Sequence, residues 1–274
     1  MIKQLSILIM LLLPMPAFAW DQKPLLPPSV CSIQIPYGMP QLTNPNTTIE
    51  CHSAYILQHD NTAKIPTWVA YTLTPQHAIG CIPRSNGFEV DSALPKGQRS
   101  DPKDYTGSGY DKGHLANNDD MSWDQQVEFE SFLMSNMSPQ TPALNRGIWK
   151  ILESDVRAWA FDNNTSYTIY AGNIYSAISK TIGENKVVVP DSLYKIIINN
   201  KTEEILAFIF PNKTTDQGHD LTPFLTTVNT IEQATGIQFP LPDNANKNIK
   251  ASAIWPVNLK LESGAKKNAC SIAK

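Results

Sequence analysis

The sequence has no excess of positive charge and contains little histidine. Its 22 lysine and arginine residues are outnumbered by 25 aspartate and glutamate residues, which gives a net charge of -3, and there are five histidines. Proteins that coat nucleic acid by counterion release alone are usually basic. The charge balance excludes that mode of binding as the main one, so any chemistry on phosphate groups must be local.

After residue 19 the chain has no apolar run long enough to cross a membrane. The first nineteen residues differ: Lys3 gives a positive start, "LSILIMLLLPMP" is a short apolar run, and "AFA" ends in small residues. This pattern is typical of an export signal. We therefore expect cleavage near Ala19 and a mature chain in the periplasm or the extracellular space, without a membrane segment. Loss of Lys3 changes the net charge from -3 to -4.

The chain also lacks linkers and internal repeats. Its one proline-rich stretch, "KPLLPPSV", lies at the start of the expected mature chain. Residues 20–274 are long enough to bury a substantial core, and we interpret them as a single domain. The sequence does not indicate an oligomeric state.

Cysteine is scarce, with four residues at positions 31, 51, 81 and 270. An even number in an exported chain favours two disulfides, and the spacings do not match a zinc site. Three pairings are possible, and the sequence does not choose among them.

Secondary-structure patterns predict an α+β protein. Runs rich in β-forming residues predict strands at 65–73, 166–175, 192–199 and 204–212, the last three as antiparallel neighbours. Apolar residues at three- and four-residue steps predict an amphipathic helix from Asn145 onward. A second helix is predicted from Thr222, with Pro223 in its first turn and Gly236 at its end.

One polar segment, "YDKGHLANNDD" at 110–120, places His114 among acidic and basic residues. Downstream, residues 132–153 contain Asn136, Asn145 and Glu153. Taken alone, His114 is a structural histidine, Asn145 a helix cap and Glu153 a solvated helix charge. Together, an imidazole with a pKa near neutrality and an amide oxygen suited to a hard cation are the groups needed to hydrolyse a phosphodiester with one metal ion.

Three sequence blocks, "DKGHLA", "SNMSPQ" and "NRGIWKILE", resemble the signature of the DNA/RNA non-specific endonucleases, the family that includes endonuclease G. The resemblance covers about residues 65–240. It implies a central antiparallel sheet flanked by helices, with a ββα-metal (His-Me finger) active site, in a single nuclease domain. It also implies Mg²⁺-dependent hydrolysis of DNA and RNA without sequence or sugar specificity, leaving 5′-phosphates, with Mn²⁺ as a possible substitute.

The resemblance assigns roles by position. It implies that His114 is the general base, Asn145 the metal ligand, and Glu153 an acidic residue acting on the metal through water. Asn136 matches a supporting residue near the scissile group, and Arg84 is the best match to an arginine that neutralises phosphate. Helix geometry also favours direct binding of the metal by Asn145 and an indirect role for Glu153. Glu153 lies eight residues beyond Asn145, roughly 12 Å along a helix, so both cannot bind one ion directly.

Lys112 departs from the family signature, which has arginine at this position. Lysine keeps the charge but loses the planar two-pronged donor. The residues after "LA" also differ, as "NNDD", in which we expect Asp119 and Asp120 to form a solvated acidic turn. We expect these changes to affect efficiency and substrate preference. An alternative from another class is a nucleic-acid-binding or DNA-uptake protein that kept the fold with little or no turnover.

The other histidines have no partner pattern in the sequence. We interpret them as structural or surface residues: His52, His59, His77 and His219.

Overall fold

A computed structural model of the protein describes residues 22, 25–31, 34–44 and 46–272. The expected export signal at 1–19 lies outside these described residues. Within the described part of the chain, no helix is both long and apolar enough to cross a bilayer.

Strands and helices are distributed along the chain without strict alternation. The strands are β1 (Thr47–Cys51), β2 (Ile56–Asp60), β3 (Ile65–Leu73), β4 (Asp111–His114), β5 (Met137–Gln140), β6 (Tyr167–Ile174), β7 (Thr181–Ile182), β8 (Val187–Val188), β9 (Ser192–Asn199) and β10 (Ile205–Pro211). The α-helices are α1 (Pro28–Cys31), α2 (Gln125–Ser131), α3 (Pro142–Asn145), α4 (Ile148–Asp162), α5 (Val228–Thr235) and α6 (Leu259–Ile272).

Six strands form one antiparallel sheet in the order β1-β2-β3-β6-β9-β10. The four predicted strands are confirmed as β3, β6, β9 and β10, with ends that differ by at most one residue. The predicted antiparallel pairing of the last three is confirmed as well. The α+β class with a central antiparallel sheet is therefore confirmed.

Both faces of the sheet are covered by apolar clusters. Alternate residues along each strand point to opposite sides and so belong to different clusters. On one face, Val69 and Tyr71 pack with the apolar side of α4, including Trp149 and Trp159. On the other face, Trp68 packs in a second cluster beneath α5. The sheet thus serves as a rigid support for α4, the helix that carries Glu153.

The amphipathic helix predicted from Asn145 begins three residues later, at Ile148. Asn145 is the last residue of α3, and Gly147 separates the two helices. A Cβ atom on Gly147 would lie 2.3 Å from the carbonyl oxygen of Ala143, so this close approach requires glycine. The side chain of Thr141 caps α3 by accepting from the Leu144 amide, and the interpretation of Asn145 as a helix cap is therefore wrong.

The second predicted helix also begins later than expected. Residues Thr222–Phe224 form only a short 3-10 helix, with Pro223 in its first turn. Helix α5 begins at Val228, where Thr227 accepts a hydrogen bond from the Thr230 amide. Its predicted end is confirmed: Gly236 follows the helix with φ of 72°, a left-handed conformation that favours glycine.

Two disulfides join the four cysteines, as the even count predicts. Cys31 bonds to Cys51, and Cys81 bonds to Cys270. The second bond spans 189 residues and fixes α6 beside the segment that leads to Arg84. Of the three pairings left open by the sequence, this is the one formed.

Candidate active site

A short antiparallel ribbon and the following helices hold most of the predicted site residues. Strand β4, which ends at His114, pairs with β5 in a two-stranded sheet separate from the central one. Helices α3 and α4 follow β5 directly. This strand, strand, helix order is the ββα arrangement expected from the resemblance.

His114 is nearly buried in an aromatic pocket. The residue is 7 % exposed. The centre of its ring lies 4.9 Å from the centre of the Phe132 ring and 5.7 Å from the centre of the Phe88 ring. Nε2 is buried and has no hydrogen-bond partner among the described residues. Burial and then the nearby charge of Arg84 lower the pKa of His114 to about 3. The imidazole is therefore neutral, with Nε2 able to accept a proton.

Two cations flank this histidine through shared aromatic rings. The guanidinium carbon of Arg84 lies 4.8 Å from the centre of the Phe132 ring, and Nζ of Lys112 lies 4.8 Å from the centre of the Phe88 ring. Lys112 and His114 are two residues apart on β4 and so project to the same side. The structure therefore brings Arg84, Lys112 and His114 together at one surface.

The orientation of Arg84 depends on a residue that the sequence did not single out. Asn118 is buried and accepts a 3.2 Å hydrogen bond from Nη1 of Arg84. Asn118 is held in turn by donating to Ser131 and Glu128. The only sequence signal for Asn118 was its place in "NNDD", where the resemblance fails.

Asn136 lies below the surface and is fully buried. Its Oδ1 accepts from the Ala116 amide at 2.8 Å, and its Nδ2 donates to the carbonyls of Ala116 and Ser131. Both ends of the side-chain amide are thus used on backbone groups, of Ala116 just after His114 and of Ser131 at the end of α2. The side chain of Asn136 therefore links the segment after His114 to the end of α2.

Asn145, at the end of α3, connects this helix to β4. Its Nδ2 donates a 2.9 Å hydrogen bond to Oδ2 of Asp111, the first residue of β4. Arg146 binds the same carboxylate through two further hydrogen bonds, of 2.8 and 2.6 Å. Oδ1 of Asn145 makes no hydrogen bond among the described residues, because only Nδ2 is used in the contact with Asp111. Hard cations prefer oxygen atoms of this type.

Glu153 is buried on α4, 6 % exposed, so the interpretation of this residue as a solvated helix charge is wrong. Its Oε1 lies 3.6 Å from Nζ of Lys195, a buried residue of the central sheet. Burial raises the pKa of Glu153 to about 7, although the charge of Lys195 opposes the shift. Oε1 makes no hydrogen bond among the described residues.

Asp120 also differs from its prediction. Its carboxylate is buried and accepts hydrogen bonds from the Tyr71 hydroxyl at 2.7 Å and from Arg157 at 3.1 Å. The expected solvated acidic turn is therefore wrong for Asp120. Asp119 is only partly solvated, since its side chain is 49 % exposed and its Oδ2 lies 3.5 Å from Nη2 of Arg157.

These residues include oxygen groups of the kind that a hard metal ion prefers. The neutral imidazole of His114 supplies a base, the amide oxygen of Asn145 makes no hydrogen bond among the described residues, and Oε1 of Glu153 is paired with Lys195. Their chemistry matches the oxygen preference of Mg²⁺, and no cysteine competes, because all four are in disulfides.

An open cleft adjoins the candidate site. Tyr105, whose ring centre is 5.8 Å from Nζ of Lys112, stands next in sequence to residues that line the cleft. The lysines in its lining are Lys96, Lys103 and Lys186. Three acidic residues, Asp101, Asp104 and Glu184, line the same cleft, so its lining carries no net charge.

Sequence comparison with known families identifies one match. The DNA/RNA non-specific endonuclease family matches residues 37–246. Endonuclease G of Bos taurus, a mitochondrial protein, is 30 % identical over 217 residues, which cover 74 % of this chain and 71 % of the relative. A nuclease from Nostoc sp. is 29 % identical over 225 residues, covering 78 % of this chain and 80 % of the relative.

Structure comparison agrees with the sequence match. A crystal structure of EndoG in complex with EndoGI superimposes on this chain with a TM-score of 0.71 and 27 % sequence identity. The match covers 78 % of this chain and 92 % of the other. The ββα site and the central sheet thus have a counterpart in a solved structure.

Proposed function

Because the chain belongs to the DNA/RNA non-specific endonuclease family, we propose that it is an exported, Mg²⁺-dependent enzyme that cuts DNA and RNA without sequence or sugar specificity. Membership of this family identifies the chain as a metal-dependent endonuclease. We further propose that the ion is Mg²⁺, that the residues described above form the site, that the products carry 5′-phosphates and that the chain is exported.

The observation that carries this proposal is the unpartnered Nε2 of His114. The atom is buried, the imidazole is neutral at neutral pH, and Arg84 lies beside the same aromatic pocket. A general base has to be neutral before it acts and needs a free lone pair. A structural histidine of the same burial would be expected to use that nitrogen in a hydrogen bond.

The proposed chemistry is in-line hydrolysis of a phosphodiester. As the oxygen of the attacking water bonds to phosphorus, Nε2 of His114 accepts a proton from that water. The bond from phosphorus to the 3′-oxygen breaks, and the leaving 3′-oxygen takes a proton from a second water. Arg84 and Lys112 bind non-bridging oxygens and offset the charge that builds up there. The new bond leaves the phosphate on the 5′ side.

Asn145 would hold the metal ion through Oδ1, and Glu153 would act on it through water. When bound, Mg²⁺ polarises the phosphoryl oxygen and stabilises the leaving 3′-oxygen. Asp111 fixes the amide of Asn145 so that Oδ1 keeps one direction, and Asn136 holds the backbone beyond His114. No proposed step uses the ribose 2′-hydroxyl, which is why RNA and DNA should both be cut.

One experiment separates this function from that of a binding protein without turnover. Supercoiled plasmid and an RNA transcript are each incubated with the purified mature protein in Mg²⁺, in Mg²⁺ with excess EDTA, and with the variant His114→Ala. We expect nicked, then linear, then fragmented plasmid and shortened RNA in Mg²⁺ alone. A retarded but intact plasmid in every lane would instead establish the nucleic-acid-binding alternative.

Product ends and location need their own measurements. Fragments with 5′-phosphates accept label from a polynucleotide kinase only after phosphatase treatment, whereas 5′-hydroxyl ends accept it directly. Export is tested by fractionating cells that produce the full-length chain and by mass measurement of the purified N-terminus. A cytoplasmic, uncleaved chain would refute export and leave the nuclease proposal untouched.

A further inference from the structure

A second group of buried ionisable side chains uses none of the residues assigned to hydrolysis. Glu50 and His52 flank Cys51 at the end of the edge strand β1, and Asp91 approaches them from the irregular segment that follows Arg84. Alternate residues of a strand point to the same side. Glu50 and His52 therefore face Asp91 together, while Cys51 bonds to Cys31.

The spacing of the three side chains matches a small coordination sphere. Nε2 of His52 lies 3.4 Å from Oε2 of Glu50 and 3.7 Å from Oδ2 of Asp91. In a tetrahedral zinc site with bonds of about 2.0–2.1 Å, neighbouring ligand atoms stand about 3.3–3.4 Å apart. The group thus approaches tetrahedral ligand spacing without rearrangement of the chain.

The group is buried and incompletely satisfied. Glu50, His52 and Asp91 are 0 %, 5 % and 2 % exposed. Both carboxylate oxygens of Glu50 and Nε2 of His52 lack hydrogen-bond partners among the described residues. Buried polar groups nearly always have partners, and a buried carboxylate without one is costly.

Among the described residues, no lysine or arginine forms an ion pair with the side chain of Glu50 or Asp91. The ion pairs described for Glu50 and Asp91 are those with His52. Glu130 adds a further buried carboxylate nearby, which accepts from the amide and hydroxyl of Ser53 at 2.7 and 2.9 Å.

We propose that Glu50, His52 and Asp91 bind a structural divalent transition-metal ion, with zinc as the best match. The ligand atoms are Oε2, Nε2 and Oδ2, and a mixed nitrogen and oxygen set of this size suits zinc better than Mg²⁺, which prefers six oxygen ligands. Ser135 donates a 2.7 Å hydrogen bond to Oδ2 of Asp91 and orients that carboxylate.

The bound ion would fasten the segment that carries Arg84 and Phe88 to the edge of the central sheet. The backbone of Glu89 already pairs with Phe132 and Met134, at 3.3 and 2.8 Å. Asp91 lies two residues beyond, so a metal bond to β1 would fix the far end of the same segment. The role is structural, and the site is separate from the one that holds Mg²⁺ in the proposed function.

Zinc binding by the purified, oxidised protein tests the proposal directly. The protein is stripped with chelator, titrated with Zn²⁺ alone, passed through gel filtration and analysed for metal. We expect one zinc per chain, retained by Asn145→Ala, which lacks the proposed Mg²⁺ ligand. Glu50→Gln should weaken zinc binding by more than the about 10–100-fold loss that follows substitution of a residue hydrogen-bonded to a metal ligand. Glu184→Gln, at an exposed position, is the matched control and should bind like the wild type.

Two measurements on the wild type keep the test decisive if Glu50→Gln does not fold. Co²⁺ in place of zinc should give the strong visible absorption of a tetrahedral site, and Zn²⁺ should abolish it. Zn²⁺ should also raise the melting temperature at constant Mg²⁺. If the wild type binds no zinc, or if Glu50→Gln binds it equally well, the group is a proton-sharing cluster and the proposal is wrong. Loss of nuclease activity alone would bear only on the proposed function.

Discussion

The side-chain amide of Asn145 donates a 2.9 Å hydrogen bond to Oδ2 of Asp111, which joins the end of α3 to the start of the strand that carries His114. The bond occupies Nδ2 and directs Oδ1 away from the carboxylate. One contact thus ties the proposed metal ligand and the proposed base into a single unit.

Asn145→Ala should raise the Mg²⁺ concentration for half-maximal cleavage by about tenfold or more and lower the maximal rate, because it removes a direct oxygen ligand. Initial rates on one plasmid across a Mg²⁺ series measure both effects. Asn244→Ala, at an exposed position on a distant loop, serves as the control. An unchanged Mg²⁺ dependence would rule out Asn145 as the ligand.

His114→Ala should reduce kcat by about 10²–10⁴-fold while leaving DNA affinity nearly unchanged, because only the proton acceptor is lost. Single-turnover cleavage and a gel-shift assay in Ca²⁺ give the two quantities. His219→Ala, which removes an exposed histidine, should cut like the wild type. A His114→Ala rate above about a tenth of the wild-type rate would be incompatible with a general base at this position.

Lys112→Arg should raise kcat/KM several-fold, equivalent to about 1 kcal/mol, because a guanidinium offers two charge-assisted donors to a phosphate. The ring of Phe88, 4.8 Å from Nζ, can stack with arginine as it does with lysine. Steady-state cleavage of a short duplex at matched Mg²⁺ measures the change, with Lys250→Arg as the control. A lower rate would mean that "NNDD" and Lys112 are adapted to each other, and an unchanged rate would mean that Lys112 does not contact the phosphate.

Removal of the long-range disulfide by Cys81→Ser with Cys270→Ser should destabilise the protein by about 2–4 kcal/mol, because the unfolded chain gains freedom. The bond closes a separation of 189 residues. Thermal unfolding of the variant and of the oxidised wild type gives the difference, and the cleavage rate at low temperature should change little. Detection of four free thiols in the exported wild type by mass spectrometry would contradict the premise.

Asp155→Asn should stabilise the protein at neutral pH by a few degrees in melting temperature. Burial raises the pKa of Asp155 to about 6 from 3.8, so the folded state holds a proton more tightly than the unfolded state. Stability from this group is therefore full below about pH 3.8 and is lost as the pH rises through about 6. The neutral amide avoids this loss.

The advantage of Asp155→Asn should accordingly shrink as the pH is lowered from 7 towards 4. Asp243→Asn, at an exposed site, is the control, and the difference between each variant and the wild type removes the opposing titration of other groups. An advantage that is constant with pH would exclude the titration of Asp155 as its cause.

The sequence predicted the central strands well, because β3, β6, β9 and β10 are runs of β-branched and aromatic residues. It did not predict β4 and β5, the strands of the site, whose sequences "DKGH" and "MSPQ" contain glycine, lysine and proline. Their pairing depends on tertiary contacts, which override local preference. The site residues came from the family resemblance, and strand propensity alone would have missed them.

The contacts made through buried polar groups were the least predictable. Asn118, Asp120 and the group of Glu50, His52 and Asp91 depend on partners that are far away in the sequence. His52 was interpreted as a structural or surface residue because no neighbour in the sequence suggested a partner. Alternation along β1 could have shown that Glu50 and His52 share a face, but only the fold brings Asp91 to it.

The bond between Cys81 and Cys270 makes most of the molecule a closed covalent ring. A protease that cuts one exposed loop within the ring, such as residues 213–216, opens it without releasing either piece. Both fragments would run together on a gel until a reductant separates them. A chain nicked once in this loop therefore keeps α5 and α6 covalently joined to the larger piece that carries His114, Asn145 and Glu153.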